Sequence, residues 1–309
     1  MNFEVVIIGS NSAVQAFGRH PTCQVFYCNH QPYLIDCGEG SQFRMDFFKI
    51  KKSKISQIFI SHLHGDHYYG LIGFIASLNL NGRNELLSIF GPEGIKEILE
   101  INFKYSNTIL KFPLEIHVID ATKFQSIFED HLVEVFSIPL EHKIPTSGFL
   151  FREKKRARNI ISEKISEYQI PQNKINEIKN GIDFTSSNGV VIPNQELTKE
   201  SPKGRSYAYC SDTLYTESII PYLYEVDLLY HESTFLESES ERAKVYFHAT
   251  AKEAGMIAQK AGVQQLLLGH YSSRYDNLNM ILDEAKSVFQ NTELAIEGAT
   301  FSVVMKEIN

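Results

Sequence analysis

Apolar residues fall into short runs parted by polar turns, and the period of the runs changes along the chain. Phe3–Ile8, Gln24–Cys28, Pro32–Asp36 and Ile55–Ile60 have the length and composition of strands. Gly70–Leu80 then carries apolar residues at helical spacing. Leu86–Phe90 reads as a further strand, and Pro92–Ile101 opens with Pro-Glu ahead of an apolar stripe, a helix-start signal. Strands over Leu114–Ile119 and Val133–Leu140 close the first half. The second half repeats the logic: strand Ser206–Cys210, helix near Ser218–Tyr222, strand Leu228–His231, helix Thr250–Ala261, strand Gln265–Leu268 and helix Asn277–Val288. Strands mixed with helices in both halves predict an α/β (α+β) class, two sheets packed face to face with helices outside.

Residues 152–203 break this rhythm. They are rich in Lys, Glu, Asn, Ser and Ile, with prolines at 171, 193 and 202, and leucine nearly vanishes. The stretch reads as an arm inserted in one domain spanning residues 1–309. A short helix is expected near Ile160–Tyr168 and a turn at Pro171. Loops of this length are usually functional or disordered rather than idle.

Composition narrows the setting. Hydrophobic content of 43% and charged content of 22% suit a globular protein, and no run approaches the roughly 20 apolar residues of a membrane span. The N-terminus lacks a basic region of the signal-peptide kind. Cys23, Cys28, Cys37 and Cys210 form no CxxC pair, so buried free thiols in a reducing cytoplasm are expected. A net charge of −7 argues against a protein wrapped in nucleic acid. Two local basic groups stand apart from that average: Arg152, Lys154, Lys155, Arg156 and Arg158, and Lys49, Lys51, Lys52 and Lys54. Such runs are usually solvated faces, but they are also where a polyanion would land.

The densest chemistry lies in Ser61-His62-Leu63-His64-Gly65-Asp66-His67, directly after a strand. Histidine makes up 11 of 309 residues, so three within six positions is not a chance grouping. Imidazole nitrogen and carboxylate oxygen are ligands that zinc prefers. Four such groups exceed what one open catalytic ion needs from a single loop. A metal pair about 3.5–4 Å apart can clamp the attacking and leaving oxygens of a displacement, which makes hydrolysis the first expectation. The i, i+2 spacing of His62 and His64 argues for a loop, turning at Gly65, rather than a helix. Further polar groups follow apolar runs in the same way: Glu141-His142, Ser211-Asp212-Thr213, His231-Glu232-Ser233-Thr234 and Gly269-His270-Tyr271. Asp212 can cap a helix over Leu214–Tyr222 or bridge two ions. Glu232 can pair with a lysine or serve the site. His248, ahead of a helix, is open to a role near its cap or as a general acid.

Together these residues resemble the metallo-β-lactamase fold and, within it, ribonuclease Z. The likeness rests on Asp36-Cys37-Gly38-Glu39-Gly40-Ser41-Gln42, the histidine loop, Pro139-Leu140-Glu141-His142, Ser211-Asp212-Thr213, His231-Glu232-Ser233-Thr234-Phe235, His248-Ala249-Thr250-Ala251 and Gly269-His270-Tyr271-Ser272-Ser273-Arg274-Tyr275. It implies a four-layer αββα sandwich of two mixed β-sheets, a homodimer and two Zn2+ per subunit. It also implies an endoribonuclease that removes the 3′ trailer of precursor tRNA and leaves a 3′ hydroxyl on the tRNA. By the same likeness, His62, His64 and His142 hold one zinc, Asp66, His67 and His270 the other, and Asp212 bridges them. Asp66 also orients or deprotonates the attacking water, and His248, charged and fixed by Glu232, protonates the leaving oxygen. The 152–203 arm becomes an exosite for the tRNA body. The chain departs from the family pattern at Pro171-Gln172-Asn173, where a Gly-Pro pair is usual, and in the proline-free loop Asn11–Phe17. It also carries Ser211 and Ser41 where glycine and threonine are usual. A small-molecule or cyclic-nucleotide phosphodiesterase on the same fold is the alternative, since fold does not fix substrate.

Overall fold

The computed structural model describes residues 2–305. The chain divides into two units, one running up to Arg152 and resuming over Ser206–Val303, the other Glu153–Arg205. The first unit begins with β1 (Phe3–Gly9), β2 (Cys23–Cys28) and β3 (Gln31–Ile35), an antiparallel meander. It continues through α1 (Ser41–Phe47), β4 (Gln57–Phe59), α2 (Gly65–Leu80), β5 (Leu87–Gly91), α3 (Ile95–Tyr105) and β6 (Leu114–Val118), with β3 to β6 parallel. β7 (Gln125–Glu129), β8 (Val133–Leu140) and β9 (Thr146–Glu153) then open a second sheet.

The second unit is built of small pieces: β10 (Asn159–Ile160), α4 (Ser162–Glu167), α5 (Ile175–Lys179), β11 (Phe184–Thr185), β12 (Val191–Ile192), α6 (Asn194–Leu197) and β13 (Thr198–Lys199). It has a core of its own, Ile170, Ile178, Phe184, Ile192 and Leu197. Two members of its basic run meet acid, Arg156 with Glu153 at 2.6 Å and Arg158 with Glu200 at 3.0 Å, and Arg205 also meets Glu153 at 2.8 Å.

The chain then returns to the first unit with β14 (Ser206–Cys210), α7 (Ile220–Leu223), β15 (Leu228–Glu232), α8 (Ser240–Tyr246), α9 (Ala251–Ala261), β16 (Gln265–Gly269), α10 (Asn279–Lys286), β17 (Thr292–Leu294) and β18 (Thr300–Ser302). The two mixed seven-stranded sheets run β18-β1-β2-β3-β4-β5-β6 and β17-β16-β15-β14-β9-β8-β7.

The period of two along each strand sorts side chains into layers. In β1, Phe3, Val5 and Ile7 face the space between sheets, while Val6 and Ile8 face α1, α2 and α3. In β14, Tyr207 and Tyr209 point between the sheets, and Ala208 and Cys210 face the helices that carry Ile219, Leu223, Ala254 and Ile281. Both faces are covered, which explains why these strands read as unbroken apolar runs. The layer between sheets is aromatic: Phe26 stacks on Tyr207 and Tyr209 on Tyr230, with centroids 5.6 and 5.1 Å apart. The result is the expected αββα sandwich.

Several boundaries differ from the sequence expectation. β4 is shorter than Ile55–Ile60, because Lys52–Lys54 form a 3-10 turn just before it. α3 starts at Ile95 rather than Pro92, since Gly94 sits at φ 92 in a left-handed cap. β9, fully buried over Thr146–Phe151, lies outside the strands that the sequence pattern predicts. Its Thr-Ser-Gly start resembles a turn, but Gly148 lets β14 approach: a Cβ there would lie 2.7 Å from the Tyr209 carbonyl oxygen. The arm also begins one residue later than expected, at Glu153, and Arg152 lies over the Phe136 ring.

Candidate metal centre and active site

Parallel pairing aligns the strand ends. Cys210 pairs with His231 and Glu232 with Gly269, so Asp212, Glu232 and His270 emerge at one rim of the second sheet. In the first sheet Ile35 pairs with Phe59, which brings Asp36 beside Ser61 and His62. Asp36, Asp212 and His270 all have positive φ, 53°, 59° and 56°. A left-handed backbone costs a residue with a side chain on the order of 1–3 kcal/mol, and such outliers cluster at functional sites.

The histidine stretch is not wholly a loop. His64 is the extended N-cap of α2, while Asp66 and His67 lie in its first turn, where a carboxylate meets the positive helix end. The turn expected at Gly65 is therefore the start of a helix. α2 is drawn in by hydrogen bonds from the Gly70 N–H to the Cys37 carbonyl and from the Cys37 N–H to the His67 carbonyl, at 2.9 and 2.7 Å. Gly70 allows this closeness, since a Cβ there would sit 2.1 Å from the Gly38 oxygen.

The structure brings all seven candidate ligands together. His62, His64, His142 and Asp212 offer ligand atoms within 4.8 Å of one another, as do Asp66, His67 and His270. Asp212 lies between the groups. Its Oδ1 is 3.2 Å from His67 Nε2 and 3.0 Å from His270 Nε2. Its Oδ2 is 3.5 Å from His62 Nε2 and 3.7 Å from His142 Nε2. His64 Nδ1 is 3.1 and 3.2 Å from the same two nitrogens. Ligand atoms in a tetrahedron around zinc lie roughly 3.3 Å apart, given bonds of about 2.0–2.1 Å. The donor set therefore fits a pair of zinc-sized ions.

The far ring nitrogens support the same orientation. His67 Nδ1 contacts Asp36 Oδ2 at 2.7 Å, His142 Nδ1 the Phe247 carbonyl at 2.8 Å, His270 Nδ1 Thr234 Oγ1 at 2.9 Å, and His62 Nδ1 Ser61 Oγ at 3.0 Å. Ligating imidazoles are typically oriented in this manner. Asp36 also accepts from the Ser61 N–H, from Ser61 Oγ, and from Tyr209 Oη at 2.6 Å across the two sheets. Asp36, Ser61, Tyr209 and Thr234 are site residues that the sequence pattern alone gives no role. Two signals bear on them: Asp36 and Thr234 stand in motifs that carry the family likeness, and Asp36 follows its strand as Asp212 and His270 follow theirs.

Charge in the cluster is tightly balanced. Burial opposes ionisation of Asp212, yet His270, His67 and His62 hold its carboxyl well below the usual range. Burial likewise opposes a charge on His270, yet Asp212 and Asp66 push it up to about 10. Burial lowers His62, His64 and His142, which favours neutral rings with a free electron pair.

Beside the cluster, Glu232 Oε1 and Oε2 lie 3.0 and 3.1 Å from His248 Nδ1. Glu232 is fully buried and also accepts from the Thr213 N–H and Thr234 Oγ1, both at 2.6 Å. Burial disfavours a charged His248, but Glu232 raises its pKa. Glu232 thus pairs with His248 and not with a lysine. The helix cap beside His248 is Thr250, which forms a full capping box with Glu253. Asp212 caps no helix, since the next helical turn starts at Glu217 and is capped by Thr216. A cleft of about 530 Å3 is lined by His64, Asp66, Tyr69, Asp212, His248 and His270, with the loop Ser12–Val14 along one side. The Ala13 N–H donates to Asp66 Oδ2 at 2.7 Å.

Two sheets between helices with this His/Asp rim define a metal-dependent hydrolase of the metallo-β-lactamase fold. The crystal structure of human tRNase Z, short form, shares that fold, with a TM-score of 0.71 at 24% identity over 97% of this chain and 99% of that one. Ribonuclease Z of Porphyromonas gingivalis is 46% identical over 295 residues, 96% of this chain and 97% of its own. Ribonuclease Z of Bacteroides fragilis is 42% identical over 301 residues, 97% and 99% of the two chains. A family profile described as Anti-Pycsar protein Apyc1 matches residues 3–293. The chain belongs to the ribonuclease Z family, and to the family that this profile describes.

Proposed function

We propose that the chain is a zinc-dependent endoribonuclease that removes the 3′ trailer of precursor tRNA, leaving the tRNA with a 3′ hydroxyl. The observation that carries this reading is a shared carboxylate, Asp212, whose two oxygens face two separate histidine groups next to an acid–base pair. His62, His64, His142 and Asp212 Oδ2 would hold one ion, and Asp66, His67, His270 and Asp212 Oδ1 the second. When bound, such a pair supplies Lewis acidity at phosphoryl oxygens and a water acidic enough to attack near neutral pH.

The chain's own groups do the rest. Asp66, fixed by the Ala13 N–H, orients the attacking water. His248, held at Nδ1 by Glu232 and lining the cleft, carries the proton that the departing O3′ needs. Its raised pKa keeps that proton available near neutral pH. A positioned acid contributes about 10²–10⁴-fold. The reading includes a homodimer in a reducing cytoplasm. Phe43 and Phe47, one turn apart on α1 and each 70% exposed, are surface that association would cover.

The test is cleavage of a 3′-extended tRNA precursor with mapping of the product ends, run beside His248→Ala. The variant should keep its zinc, measured by plasma emission, and lose about 10²–10⁴-fold in kcat. Near-normal turnover would remove the acid role, and the absence of any precursor cleavage by the unmodified protein would remove the whole reading.

A further inference from the structure

Glu297 is a buried carboxylate that the chemistry above does not use. It stands in the turn between β17 and β18. That turn is held to β1, because the Gly298 N–H donates to the Ile7 carbonyl at 2.8 Å and the Ile7 N–H to the Ala299 carbonyl at 3.2 Å. Only 8% of the Glu297 side chain is exposed, so it is not an ion pair of the weak, solvent-screened kind. Its Oε1 accepts from the backbone N–H groups of Ser10 and His20, at 3.3 and 2.5 Å. Its Oε2 meets His20 Nδ1 at 2.8 Å and Arg44 Nη2, from α1, at 2.9 Å.

Ser10 and His20 are the two ends of the loop that reaches the cleft. The Asn11 N–H donates to the His20 carbonyl at 2.9 Å and closes the loop at its base. Inside it, Arg19 Nε donates to Asn11 Oδ1 at 3.0 Å, and Asn11 Nδ2 to the Val14 carbonyl at 2.6 Å. These bonds hold Ala13 at φ 55, a left-handed backbone that persists only where the surroundings enforce it. The Ala13 side chain is exposed, so the bonds of the loop, and not packing, set that geometry. In it the Ala13 N–H reaches Asp66 Oδ2. We infer that Glu297 is a positioning residue: by clamping both ends of the Ser10–His20 loop, it aims the Ala13 N–H and so fixes Asp66 as a ligand of one of the two ions. This rests on the two-ion reading of the site and adds to it a control seated in the turn before the last strand.

The experiment titrates zinc into metal-free protein against a competing chelator and reads the affinity of each equivalent. The unmodified chain should take up two. Glu297→Gln keeps the shape and loses the charge. It should weaken one equivalent by about tenfold, the lower end of the range for partners behind the ligands, and leave the other unchanged. In an Asp66→Asn background the same substitution should add nothing, since effects that act through one residue are not additive. His20→Ala, at a partly exposed position, removes one of the four contacts and should give the same one-sided loss in smaller measure. It carries the test if Glu297→Gln fails to fold. Native affinity for both equivalents, equal weakening of both, or an undiminished loss in the Asp66→Asn background would overturn the role of Glu297 and leave the ribonuclease reading in place. Uptake of fewer than two equivalents by the unmodified chain would overturn the two-ion reading and this inference with it.

Discussion

Asp36 shows how much of this site lies behind the side chains that face the cleft. One buried carboxylate orients His67, takes two bonds from Ser61, and is tied by Tyr209 to the opposite sheet. Partners of this kind are worth 10–100-fold in metal affinity. Asp36→Asn keeps the shape and loses the charge, so zinc affinity should fall about 10–100-fold in a competition titration against a chelator. An unchanged affinity would mean that the Asp36 contacts serve packing alone. Asp36 escaped the sequence reading because its role depends on a partner 31 positions away and another 173 positions away. The seven ligand candidates were legible because four stand in one histidine-rich stretch after a strand and His142, Asp212 and His270 each stand within two residues of an apolar run, both local signals. The bridge or cap choice at Asp212 was not local, since it turned on where the next helix begins.

Elements differ in how well their boundaries announce themselves. β1 and β14, covered on both faces, were plain as apolar runs, whereas β9 was hidden by a glycine that only its neighbour explains. The arm's short helix and its turn at Pro171 were visible in the sequence, and its internal ion pairs were not. Glu153 anchors the arm's base. Burial alone would raise its carboxyl, but Arg205 and Arg156 hold it at about 2. A depressed acid stabilises the folded state above its unfolded value of about 4.3, and that support fades as pH falls through the folded value of about 2. Amide protection factors within residues 153–205 should therefore fall as acid is added through that window, and Glu153→Gln should flatten the response. Deleting the arm should cost tRNA cleavage far more than hydrolysis of bis-p-nitrophenyl phosphate. Equal losses would assign the arm to folding instead of substrate grip.

At the scale of the molecule, alternating side chains sort β1 to β9 and β14 to β18 into an aromatic seam between sheets and two aliphatic layers beneath helices. Fold class was readable because that alternation is a property of every strand taken alone. Which strand neighbours which was not, because pairing such as β9 with β14 spans the inserted arm. The same layering encloses all four cysteines. Burial pushes the Cys37 thiol up to about 12 and raises Cys23 and Cys210 as well. Only thiolate is alkylated readily, so the native chain should resist iodoacetamide at pH 8 and denatured chain should take up four equivalents. The layers thus hand the chain a built-in clock: mass added per hour under native conditions counts how often the sandwich comes apart.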